Sequence, residues 1–196
     1  MILHDAVKKL EEYTSGMGCE DGNLQYTAKE HGNVCTFCTG KCMEVQFGGR
    51  VAEISTPVPF TACMKLENLF PAPLKSDKTR GAAAGALTAA AGFLMLTRKT
   101  SACDSLLADD CREELISFCS GRAVYVIGKD IAGLNQAARI SDAELVIVTG
   151  DALTDEALLE RLGEAECAGK EMLYLGPECA GAASLLQKKM WCPYGN

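Results

Sequence analysis

The stretch Glu144-Leu145-Val146-Ile147-Val148-Thr149-Gly150-Asp151 holds four bulky apolar residues in unbroken succession, then a glycine and an acid. A strand with one face in water alternates apolar and polar residues. An uninterrupted run of this length predicts a strand covered on both faces, as in a parallel sheet. Two neighbours repeat the pattern: Ala123-Val124-Tyr125-Val126-Ile127-Gly128 and Glu171-Met172-Leu173-Tyr174-Leu175-Gly176. Helical periodicity is read between and after them, around 131–138, 152–162 and 179–187, with a last strand at 189–192. A helix over 104–119 precedes them, with Cys111, Leu115 and Cys119 on one buried stripe. Strands alternating with helices make residues 101–196 a Rossmann-like parallel α/β domain.

Working outward, residues 3–13 predict an amphipathic helix with Leu3, Val7 and Leu10 on one stripe. Gly16, Gly18, Gly22 and Gly32 then divide the chain into short extended pieces. Segments 42–47 and 50–55 flank Gly48-Gly49, a β-hairpin signal. A short helix is expected over 61–69, and a long one over 79–97. The first turns of that long helix are nearly all Gly and Ala, which suits close backbone packing or a face for a homodimer. Residues 1–100 therefore read as a small α+β subdomain packed on the Rossmann-like one, the join falling between 97 and 121.

The chain has 196 residues, 48% hydrophobic and 23% charged, which is globular composition and not that of a disordered or fibrous chain. Its net charge of −7 is uneven: residues 1–100 carry 11 Lys/Arg against 10 Asp/Glu, residues 101–196 carry 8 against 16. No stripe of Lys or Arg exists to meet a phosphate backbone, so no nucleic-acid partner is expected. The first twenty residues lack the apolar core of a signal peptide. The longest apolar run, 81–96, is too short and too rich in Ala and Gly to span a bilayer of about 30 Å. A cytoplasmic protein without membrane contact is expected.

The three central strands end alike, in Gly128-Lys129-Asp130, Thr149-Gly150-Asp151 and Gly176-Pro177-Glu178. Ligands of open α/β sheets bind at the carboxyl edge of the strands. Gly128, Asp130, Thr149, Gly150, Asp151, Gly176 and Glu178 are therefore candidate ligand-binding residues, whose carboxylates could hold a cation or move a proton. Asp before a helix is also a favoured N-cap, and Asp130 and Asp151 fit that role; Glu178 is a poorer cap. No G-x-G-x-x-G follows the first strand, so a nicotinamide dinucleotide is not expected.

Eleven cysteines in a reducing compartment do not read as a disulfide scaffold. Many suit small buried positions in a cell where oxygen is scarce. Cys35, Cys38 and Cys42 form C-x2-C-x3-C, a spacing that lets thiolates turn toward zinc, iron or an iron–sulfur cluster. Cys19 or Cys63 would supply a fourth ligand. His4 and His31 stand apart from any partner, and a lone loop histidine is usually solvated.

Ala143 to Gly150, Leu153, Leu158-Leu159 and Leu175-Gly176-Pro177 resemble the proposed heavy-metal-chelation domain family. The resemblance implies an enolase N-terminal-like domain joined to a Rossmann-like one, with a metal or metal-linked ligand in the cleft between them. It covers most of the chain in architecture and about 35 residues in motif. After the Gly-Pro the family carries small hydroxyl residues, where this chain has Glu178-Cys179, a carboxylate and a thiol. Metal binding leads the functional expectations. An enzyme of cofactor metabolism using the strand-end carboxylates, and a dimeric interaction module, are the alternatives.

Overall fold

The computed structural model describes residues 1–196 and contains two four-stranded sheets, one antiparallel and one parallel, in a mixed α/β fold. Helix α1 (Ile2–Thr14) leads into β1 (Asn23–Ala28), the hairpin β2 (Lys41–Phe47) and β3 (Arg50–Thr56), and then β4 (Ala62–Lys65). These strands pair in the order β3-β2-β1-β4. Gly48 and Gly49 make the turn, both at positive φ, which a two-residue hairpin of this hand requires. Helix α2 (Asp77–Phe93) follows, opened by a reciprocal cap between Ser76 and Thr79.

The second half begins with α3 (Ala108–Phe118) and β5 (Val124–Ile127). It continues through β6 (Leu145–Val148), the single turn α4 (Asp151–Thr154), α5 (Glu156–Cys167), β7 (Met172–Leu175), α6 (Pro177–Leu185) and β8 (Met190–Trp191). All four strands run parallel in the order β5-β6-β7-β8. The order never reverses, so the sheet has no switch-point crevice of the kind that usually receives ligands.

Every residue of β6 and of β7 is buried, as their unbroken apolar runs predict. Alternate side chains then enter different cores. Val146, Val148, Met172 and Tyr174 join the larger one, which also takes residues of α1, α2, the antiparallel sheet and α6. Leu145, Ile147, Leu173 and Leu175 face a smaller core with Cys35, Phe37, Cys38, Cys111, Leu115 and Cys119. The larger core thus runs continuously from residues 1–100 into residues 101–196.

Helix α2 is the shared wall. Its Gly/Ala surface is packed on both sides, against Val45 and Ile54 of the hairpin and against α6. A Cβ on Gly181 would strike the α2 backbone at Leu87 and Thr88, so only glycine permits this approach. Thr88 Oγ1 donates to the Pro177 carbonyl at 3.0 Å and accepts from Gly181 N–H at 3.0 Å. Arg80, buried at the other end of α2, donates to the Thr154 carbonyl at 2.6 Å and to Asp77 at 2.8 Å.

Three local expectations are corrected. The segment expected as a helix over 131–138 has none. It runs beside β5, with Val124 N–H donating to Asn135 O at 2.9 Å and Ala137 N–H to Val124 O at 2.8 Å. Gly133 at φ +94° breaks so short a helix, which is marginal even without glycine. Residues 61–69 form β4 and a 3-10 turn (Leu66–Leu69), because the chain pairs with the free edge of β1. The helix expected over 152–162 is split at Asp155, whose carboxylate caps α5 by accepting Leu158 N–H at 3.0 Å. No helix is long and apolar enough to cross a membrane.

Candidate metal centre

The carboxyl edge of the parallel sheet is covered by residues 34–40, the loop that carries the first two cysteines of C-x2-C-x3-C. Three contacts hold it there. Asp151 Oδ1 accepts Thr39 N–H at 2.9 Å. Lys129 Nζ donates to the carbonyls of Thr36 and Cys38 at 2.9 and 3.0 Å. Cys35 N–H donates to Ser55 Oγ at 3.3 Å. Within the loop a turn closes from Cys38 N–H to Cys35 O at 2.9 Å, which brings the two side chains to the same side.

Glu178 meets them there. Gly176, at φ +79°, ends β7, and Pro177 begins α6 with its fixed φ, so Glu178 sits in the helix's first turn and points back over the strand end. Its Oε1 accepts Ser55 N–H at 2.8 Å from β3. Its Oε2 is buried and has no hydrogen-bond partner. The sulfurs of Cys35 and Cys38 and a carboxylate oxygen of Glu178 all lie within 4.8 Å of one another. All three residues are nearly sealed, at 6%, 2% and 2% exposure.

Two glycines make the space. A Cβ on Gly176 would stand 2.6 Å from Glu178 Oε2 and 2.9 Å from Cys35 Sγ. One on Gly150 would stand 2.8 Å from Cys38 Sγ and 2.5 Å from Glu178 Cβ. The strand-end glycines therefore form a cradle that any larger residue would fill.

The electrostatics follow from burial. Desolvation raises the Glu178 carboxyl above its ordinary value, opposed by the backbone N–H groups of Glu178 and Ser55 and by the Ser55 and Cys38 side chains. The neighbouring Cys35 thiol, burial and the Glu178 carboxyl together hold the Cys38 thiol well above the usual range. Glu178 and Cys38 resist ionisation in this dry site, and a cation bound between them would favour their charged forms.

The candidate residues separate cleanly. Cys35, Cys38, Glu178, Gly150 and Gly176 converge. Asp151 is no helix cap, since α4 has no side-chain cap, and it serves to tie down the cysteine loop. Thr149 Oγ1 accepts Lys129 N–H at 3.0 Å, and Gly128 at φ +119° passes beside Thr149, so both shape the turn. Asp130 is exposed, lies at the same sheet edge and bonds Gln136 within its own segment. It faces neither the cysteine loop nor a helix N-terminus, so of the three expected carboxylates only Glu178 joins the converging group, with Asp151 holding the loop.

Cys42 stands outside the group. It is buried in β2 opposite Ser55, against Gly32, and burial beside Glu53 raises its thiol to about 11. Cys63 is exposed on the edge strand β4, Cys19 is half-buried in the loop before β1, and His31 is exposed. Ser55 and Lys129, which orient the group, carried no sequence signal of that role: one is a strand serine, the other sits between two residues read for turn and charge. Comparison with family models, with curated proteins and with solved structures finds no match.

Proposed function

We propose that this protein binds one divalent transition metal of the zinc class through Cys35, Cys38 and Glu178. The observation that carries the reading is the unpartnered, buried Glu178 Oε2 facing two thiols from a loop some 140 residues away in sequence. An orphan carboxylate oxygen in a dry site is costly, and a cation coordinated by it removes that cost. Two sulfurs and one oxygen suit a borderline-soft ion such as zinc or ferrous iron better than calcium or magnesium. The fit does not need the C-x2-C-x3-C to act as a unit, because Glu178 takes the place expected of Cys42.

The site joins the two halves: Cys35 and Cys38 come from residues 1–100, Glu178 from residues 101–196. Binding there agrees with the resemblance to the proposed heavy-metal-chelation family, in which an enolase N-terminal-like part meets a Rossmann-like part. When bound, the ion would supply a Lewis-acid centre. The chain's own residues fix the donors: Ser55 orients the carboxylate, and Lys129 and Asp151 hold the thiol loop. Sealed donors favour retention of the ion over turnover of a bulky substrate, so chelation is preferred to acid–base catalysis.

The test is metal content after anaerobic purification and zinc loading. About one equivalent is expected, lost in both Cys38→Ser and Glu178→Gln. Folded wild-type protein that takes up no zinc or iron would refute the proposal.

A further inference from the structure

Three more thiols gather on the far side of Cys35. Cys103 lies in the irregular segment before α3, Cys111 in the first turns of α3, and Cys192 just after β8. The carboxyl-terminal residues bring them together. Tyr194 OH bonds Glu114 of α3, Trp191 packs on Phe118 with ring centroids 4.9 Å apart, and Ser101 N–H donates to Asn196 O at 2.7 Å. Cys35, Cys103, Cys111 and Cys192 then line one small cavity of about 10 Å³, walled otherwise by groups such as Phe37 and Trp191. That is room for a single water-sized sphere, but its walls are sulfur and hydrocarbon, a poor setting for water.

The lining carries a second observation. The indole N–H of Trp191 is buried without an acceptor. A neutral thiol is a weak acceptor, whereas a metal-bound thiolate is a good one, and such N–H groups tune sulfur ligands in known metal sites. Burial and the mutual proximity of these sulfurs raise Cys111 to about 12 and Cys192 to about 11.

We propose that Cys103, Cys111 and Cys192, with Cys35 at the shared wall, form a second site that takes one thiophilic cation of the Cu(I) type. These four side-chain donors are all sulfur, which selects a softer ion than the carboxylate-containing group next door. The cavity admits one ion and not a four-iron cluster. These sulfurs are spaced more widely than the Cys35–Cys38–Glu178 donors, and the ion draws them in. Cys103 and Cys192 lie outside helix and strand. Each thiol releases its proton to solvent as its sulfur bonds the metal, and nothing is oxidised or reduced. The inference is independent of the zinc reading, since three of the four sulfurs lie outside that group.

The experiment is an anaerobic competition titration of Cu(I) from a coloured chelator into zinc-loaded protein. One equivalent should bind. Cys103→Ala with Cys192→Ala should weaken it by at least about 100-fold, more than loss of an outer-shell partner does, while leaving zinc content unchanged. Cys38→Ser with Glu178→Gln should abolish zinc and leave the copper equivalent. Loss of copper in that second variant alone would overturn the proposal. Alkylation of the wild type needs no variant. Cu(I) should protect Cys103 and Cys192 while exposed Cys63 and Cys167 remain reactive, and equal labelling with and without copper would overturn the proposal.

Discussion

The two faces of the parallel sheet are built from different materials. One is covered by α2, α5 and α6 and filled with Leu, Val and Ala, with glycines that let helices touch. The other is covered by one helix, α3, and by loops, and four of its thirteen core residues are cysteines. The first face holds itself together by area: aliphatic burial stabilises by roughly 25 cal/mol per Å² without any ligand. The second has less hydrocarbon and more sulfur, packed around donors that resist ionisation. On the proposed zinc reading, stability and metal chemistry fall on opposite sides of β6 and β7.

The largest expected effect lies on the aliphatic face. Leu87 is fully buried in α2 at its contact with α6. Leu87→Ala should destabilise by about 2–5 kcal/mol, and thermal unfolding should show the same loss with and without zinc. A metal-dependent loss there would break the division between the faces.

Next comes removal of metal. At 100-fold excess over its dissociation constant a bound ion contributes about 2.7 kcal/mol. A chelator should lower the melting temperature accordingly and raise hydrogen exchange mainly in residues 34–40 and 176–180. Exchange rising equally in α2 would erase the distinction.

The local signals behind each face differ in legibility. The hairpin, α1, α2 and the three apolar strands were readable because each is encoded by neighbours in sequence: a period, a glycine pair, an unbroken apolar run. At 131–138 no helix forms because Gly133 and the open edge of β5 outweigh a weak apolar period. Only spacing groups Cys42 with Cys35 and Cys38. After Gly40 at φ +106° the chain enters β2, and its backbone is committed to the ladder opposite Ser55. Glu178 stands out in the sequence as a poor cap, yet its pairing with two cysteines rests on tertiary contacts that no local pattern contains.

A subtler effect concerns pH. The Glu178 carboxyl is raised on folding, so between its unfolded and folded values the native state holds a proton that the unfolded state has lost. The contribution of Glu178 to the stability of the metal-free protein should therefore fall as pH rises from about 4 through that window. Glu178→Gln keeps an acceptor for Ser55 N–H and cannot ionise. Its metal-free melting temperature should exceed that of the wild type at pH 7, by about 3 °C for each kcal/mol regained, and approach it at pH 4. A wild type that is as stable as the variant at pH 7 would show that burial of this carboxyl carries no penalty.

The smallest effects separate Asp151 from Asp130. Asp151→Ala removes the acceptor for Thr39 N–H and should cost about 1 kcal/mol with weaker zinc retention, while Asp151→Asn preserves both. Asp130→Ala, exposed and bonded only to Gln136, should change stability by less than about 0.5 kcal/mol. Zinc affinity should be unaffected, as read by competition with a chelating dye.

X-ray absorption spectroscopy of protein carrying one equivalent of zinc tests the metal assignment most directly. Cys35, Cys38 and Glu178 predict two sulfurs at about 2.3 Å with the remaining shell of oxygen at about 2.0–2.2 Å. Glu178→Gln should disrupt that shell. Four sulfurs, or a shell without sulfur, would contradict it.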